Sequence, residues 1–124
     1  MKRVIIEPTA NTPVVVYDAD NGCLSIEGRS IPENPAEFYE ALLDWAQITL
    51  VEPFPNLQIE FRLEFINSAS AKQILAFLKM VRSKVYEGCP CAITWYYEGD
   101  DESIQELGEH LQSTLGIAME LKEC

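Results

Sequence analysis

The stretch "LQIEFRLEFINSASAKQIL", Leu57 to Leu75, changes its hydrophobic period partway along. Leu57, Ile59, Phe61, Leu63 and Phe65 alternate with Gln58, Glu60, Arg62 and Glu64. A period of two puts the first set on a buried face and the second in water, so the segment is expected to be a strand with one wet side. Beyond Asn67 the apolar residues Ile74, Leu78, Val81 and Val85 recur at helical spacing, ending near Glu87 and Gly88. A strand with one polar face, followed directly by an amphipathic helix, implies a sheet covered by helices on one side and open on the other.

The rest of the chain fits that unit. Upstream, "RVIIE", "TPVVVYDA" and "CLSIEGR" read as three strands, and Asp20-Asn21-Gly22 between the last two is a hairpin signal, because Asn-Gly accepts positive φ at both central turn positions. In "GRSIPENPAEF" Asn34 is placed as an N-cap with Pro35 at the first helical position. The helix that follows runs to about Leu50, with Phe38, Leu42, Trp45 and Thr49 on one stripe, widened by Tyr39, Leu43 and Ala46. "CAITWYYE" is a further strand, Ile104, Leu107, Leu111 and Leu115 mark a third helix, and "IAMELK" closes the chain as a short strand. The order is β-β-β-α-β-α-β-α-β. Crossover helices join parallel neighbours, so the expected architecture is a two-layer α/β domain with a mixed sheet and helices mainly on one face. With 124 residues and 48% hydrophobic content the chain is read as one domain spanning 1–124.

Composition narrows the function. Twenty acidic residues against nine basic give a formal net charge of −11, which disfavours a sequence-independent grip on nucleic acid or on an anionic membrane. No apolar run reaches the length of a membrane span, and the N-terminus breaks at Glu7 and Pro8 before a signal-peptide core, so a cytoplasmic protein is expected. Cys23, Cys89, Cys91 and Cys124 lack the spacing of a disulfide framework, and Cys89-Pro90-Cys91 is not a paired zinc signature. His110 is the only histidine, and the glycines are scattered rather than gathered in a phosphate-binding loop. No catalytic residue, cofactor or metal site is assigned, and no enzymatic activity is expected. A small metal-dependent enzyme using Glu98, Asp100 and Asp101 is the minor alternative; the helix dipole explains acidic residues there equally well.

That leaves the junction Asn67-Ser68-Ala69-Ser70. A serine or asparagine before a helix accepts a hydrogen bond from an orphan backbone N–H, which accounts for the residue types by itself. A phosphoryl group on Ser68 would also be accommodated, since about two negative charges would sit at the positive end of a helix, with Lys72 four residues on along the same face.

The succession "PTANTPVVVYDADNGCLSIEGRSIPEN", "FYEALLDW", "FRLEFINSASAK" and "ITWYYEGDDESIQELGE" resembles, in the same order and over nearly the whole chain, the SiaC family of bacterial regulatory phosphoproteins. The resemblance implies a partner-switching regulator. In that family the unphosphorylated protein binds and activates a diguanylate cyclase, raising cyclic di-GMP and promoting biofilm or aggregation. A SiaB-like kinase phosphorylates it and a PP2C-like phosphatase reverses the reaction. The scheme is similar to that of the anti-sigma factor antagonists of the STAS class, which implies a STAS-like general character. The family acceptor is a threonine in an "N-T-S-S-S-K" run. The matching run here is "NSASAK", which implies Ser68 as the acceptor, with Ser70 as an alternate. Asn67, Ser68 and Lys72, together with Arg29, Glu33 and Asn34 of the "GRSIPEN" loop, are the expected partner contacts; Arg29 is equally read as a structural ion-pair residue. A phosphorylation-independent adaptor is the main alternative, and self-association is left open.

Overall fold

The computed structural model describes residues 3–6, 9–18, 21–32, 34–49, 57–85, 91–116 and 119–124. Strands β1 (Arg3–Ile6), β2 (Val14–Asp18) and β3 (Cys23–Ser30) precede helix α1 (Pro35–Thr49). Then come β4 (Leu57–Ile66), α2 (Ser68–Val85), β5 (Cys91–Tyr97), α3 (Glu102–Leu115) and β6 (Met119–Glu123). The element order is the one the sequence periodicities imply.

All six strands form one sheet in the order β1-β2-β3-β4-β5-β6. The first two pairings are antiparallel and the last three parallel, each parallel pair being joined by a helix. Right-handed crossovers between successive neighbours put the three helices on the same face, and α2 lies between α1 and α3. Beneath them, Leu24, Ile26, Leu57, Ile59, Phe61, Ile93 and Trp95 from the sheet meet Tyr39, Leu42, Ile74, Phe77, Leu78, Val81, Ile104 and Leu111 in a single apolar cluster. On the other face Glu27, Gln58, Arg62 and Glu64 are exposed. Arg62 lies over the Tyr96 ring at 3.9 Å and within 3.8 Å of Glu60.

Two close approaches fix how the layers meet. Trp95 is fully buried and its Nε1 donates to the carbonyl of Ile104 at 2.9 Å, tying β5 to the start of α3. Gly108 makes that contact possible: a Cβ there would fall 2.5 Å from Trp95 Cδ1. Tyr39 of α1 is anchored likewise, its hydroxyl 2.6 Å from Ser30 Oγ in the core.

Two expectations are corrected. The β2–β3 hairpin is present, but its last pair is Asp18 with Cys23, so four residues rather than the three of Asp20-Asn21-Gly22 separate the paired strands. Asn21 does not take positive φ; Gly22 does, at 64°, while Asn21 Nδ2 donates to the Asp18 carboxylate at 2.7 Å. Residues 19 and 20 lie outside the described residues, as do Glu87 and Gly88 at the expected end of α2.

The second correction concerns Phe65, expected on the buried face and found 53% exposed. Gly28 pairs with Leu63 but Arg29 pairs with Phe65, so Glu64 is left without an opposite residue and the register between β3 and β4 shifts. Gly28 has φ 121°, a backbone state that side-chain-bearing residues rarely adopt. One extra residue reverses the alternation from that point on. Phe65 therefore stands on the open face, with the Arg29 guanidinium 5.1 Å from its ring centroid, and Ile66 turns to pack against the core.

Candidate functional site

β4 delivers the chain to α2 at the edge of the sheet where the parallel strands end. The strand closes with the Asn67 amide donating to the carbonyl of Ser30 at 3.2 Å. The Asn67 carbonyl then accepts the Ala71 amide at 3.0 Å, the first bond of the helix, which makes Asn67 the N-cap. Its Oδ1 accepts the Ser70 amide at 2.8 Å, and its Nδ2 donates to the carbonyl of Pro32 at 3.4 Å. Asn67 thus closes the strand and opens the helix through its backbone, while its side chain caps the helix and holds Pro32 at the junction.

The two serines part company here. Ser68 is the first helical residue, exposed and not engaged in capping. Its amide and that of Ala69 are the two leading donors that a helix leaves without an internal partner. Ser70 is fully buried, and its Oγ has no hydrogen-bond partner among the described residues. Of the two candidate acceptors, only Ser68 presents its hydroxyl to solvent; the alternate, Ser70, is enclosed because the third helical position faces the sheet.

Three of the other candidates fall on separate elements. Lys72 is exposed on α2. Arg29 is on the open face, with its guanidinium over the Phe65 ring. Asn34 is the N-cap of α1: its Oδ1 accepts the Glu37 amide at 3.3 Å and its Nδ2 donates to the Glu37 carboxylate at 3.3 Å. Glu33 lies outside the described residues.

The acidic run before α3 has a structural role. Asp101 Oδ1 accepts the Ile104 amide at 3.1 Å and caps that helix. Among the described residues no three His, Cys, Asp or Glu side chains gather in a way that would hold a metal ion. Burial raises Cys91 to about 11 and also raises Cys23, where nearby Glu60 and Asp18 add to the effect, so neither is an activated thiolate.

Sequence reasoning did not find Phe65 as a surface residue. Phe65, Ile66 and Asn67 line one shallow concavity that reaches Ile31 on one side and Ile104 and Leu107 of α3 on the other.

The geometry is an exposed serine on a capped helix start, beside a partly apolar concavity, in a two-layer α/β fold. Comparison with known proteins gives the family. The model of the SiaC family regulatory phosphoprotein matches residues 6–124, and the chain belongs to that family. An uncharacterized protein of Pseudomonas aeruginosa strain UCBPP-PA14 is 30% identical over 112 residues, covering 90% of this chain and 89% of its own length. Apo-SiaC of Pseudomonas aeruginosa superposes with a TM-score of 0.87 at 27% identity, covering 98% of this chain and 99% of that one. The structure of the diguanylate cyclase SiaD in complex with its activator SiaC, from the same organism, gives 0.89 at 26% identity with the same coverage. No described helix is long and apolar enough to cross a membrane.

Proposed function

We propose that this protein is the phosphorylation-controlled activator of a bacterial diguanylate cyclase. Unphosphorylated, it binds the cyclase and raises cyclic di-GMP output, promoting biofilm or aggregation. A SiaB-like kinase transfers the γ-phosphoryl group of ATP to Ser68 Oγ, which loses its proton as the O–P bond forms and ADP leaves. A PP2C-like phosphatase hydrolyses that bond and restores the active form. The chain acts as one domain in the cytoplasm and carries out no catalysis of its own.

The observation that carries this reading is the division of labour between Asn67 and Ser68. Because Asn67 makes the capping bonds, Ser68 is left exposed with no bond that the fold depends on. A phosphoryl group there meets the helix's leading amides and its positive end, and Lys72 is one turn on, so the fold tolerates the charge while the surface changes. Membership in a regulatory phosphoprotein family and the likeness to an activator solved with its cyclase support the partner class. Asn67, Lys72, Arg29, Glu33 and Asn34 are the partner contacts in this reading.

The test compares cyclic di-GMP in the host carrying wild type, Ser68→Ala or Ser68→Asp in place of the native gene. Ser68→Ala is expected to stay active when the kinase is overproduced, and Ser68→Asp to be inactive while still folded. Equal output from both variants would mean that binding does not depend on this residue, which is the adaptor reading.

A further inference from the structure

We infer that Phe65, set on the open face by the bulge in β4, is the apolar anchor with which this protein docks on its cyclase, and that Arg29 is the charged contact beside it. The inference rests on the cyclase reading and specifies the surface it uses.

Phe65 is the one large apolar side chain exposed among the described residues. Every other large apolar residue of β4 with the same odd spacing is buried, so its exposure is produced by the register shift at Gly28 and Arg29 rather than by a polar environment. Bulges commonly re-aim a side chain. An exposed aromatic ring among charged residues, with the partly buried Ile66 and Tyr97 lining the concavities it shares, has the form of an interface hot spot.

Its position ties it to the switch. Phe65 is three residues from Ser68, within about 10 Å along the chain, and shares a concavity with Asn67, the cap that holds Ser68 in place. A modification at Ser68 can break only a contact that passes close to it, and this is the apolar surface that does so.

The local charges define the chemistry of the occupant. Arg29 stacks over the Phe65 ring, and Lys72 is exposed on the helix that Ser68 begins. Glu64 and Asp101 line the same concavity as Phe65 and Asn67, so the basic groups flank an acidic rim. The occupant is therefore a cyclase surface with an apolar socket for the ring, a basic group toward Glu64 and Asp101, and a carboxylate placed toward Arg29 and Lys72. A carboxylate there accounts for the sign of the switch: phosphate on Ser68 attracts Lys72 and repels the partner's negative group.

The experiment titrates purified wild type, Phe65→Ala, Arg29→Ala, Arg29→Glu and the control Lys79→Ala, on the outer face of α2, into each purified diguanylate cyclase of the host. GTP turnover, binding and sedimentation are read, with thermal unfolding of each variant. Wild type and Lys79→Ala should activate one cyclase equally. Phe65→Ala should weaken binding by roughly tenfold or more with an unchanged melting temperature, as for hot-spot truncation, and Arg29→Glu should weaken it more than Arg29→Ala. Activation by Phe65→Ala at wild-type concentrations would overturn the anchor and leave the cyclase reading standing. Loss of self-association in Phe65→Ala without loss of activation would assign the patch to a second copy of this chain and also overturn it. Failure of wild type to activate any host cyclase would overturn the cyclase reading and the anchor with it.

Discussion

The side-chain oxygen of Asn67 accepts the amide of Ser70 at 2.8 Å, and this bond separates the residue that builds the junction from the residue available for modification. Replacing Asn67 by Ala should cost about 1 kcal/mol, the usual value of an N-cap, with more lost through the contact to Pro32. Ser68→Ala, at an exposed position outside that network, should stay within about 0.5 kcal/mol of wild type. Urea denaturation of the two variants checks the contrast, and equal losses would mean that Ser68 shares the capping.

The buried Ser30 and Tyr39 hydroxyls should behave as a pair. Removing either partner by Ser30→Ala or Tyr39→Phe leaves the other hydroxyl buried and unpaired, at a cost of about 1–3 kcal/mol. The double variant should lose less than the sum of the two. A double-mutant cycle on unfolding free energies measures the coupling; strict additivity would show that the 2.6 Å contact contributes nothing.

Gly108→Ala sets two effects against each other. Alanine improves helix propensity by about 1 kcal/mol, but its Cβ would lie 2.5 Å from Trp95 Cδ1 and 2.8 Å from Leu121 Cδ2. Overpacking of this kind costs about 1–3 kcal/mol. Net destabilisation is expected, with a shift in tryptophan fluorescence as the Trp95 bond to Ile104 is disturbed. A variant as stable as wild type would mean that α3 moves away from the sheet at little cost.

Stability should fall on the alkaline side. Burial raises Cys91 from 9.0 to about 11 and Tyr39 from 10.0 to about 12, the bond from Ser30 offsetting part of the latter. A raised value means that the folded state keeps a proton the unfolded chain has released. The associated stabilisation is whole below the unfolded values of 9.0 and 10.0, and is lost as pH rises toward about 11 for Cys91 and about 12 for Tyr39. Urea midpoints between about pH 8 and 11 should therefore decline, and Cys91→Ala should flatten the first part of the decline. A midpoint independent of pH across that range would contradict the burial of both groups.

Most of the scaffold was legible because it is local. The change from a period of two to helical spacing at Asn67 marks the end of β4 and the start of α2, and Asn34-Pro35 marks α1. A capped helix start at Asn67 was legible in the same way, whereas Ser68 as an acceptor was implied by the resemblance of "NSASAK" to the family run. Three features were not. Which of Asn67 and Ser68 caps α2 depends on the approach of Pro32, thirty-five residues upstream of Asn67. The burial of Ser70 depends on how α2 sits on the sheet. The exposure of Phe65 depends on its register with β3, a pairing between distant segments that the alternation within β4 cannot encode. In the hairpin, Asn-Gly located the turn but not its length.

The central claim is tested most directly by site-resolved mass spectrometry of the protein isolated from its host, before and after overproduction of the kinase. Phosphate should appear on Ser68, rise with the kinase, and be absent from Ser70. Phosphate confined to Ser70, or none on this peptide in abundant protein under either condition, would contradict the account and return the junction to a helix cap alone.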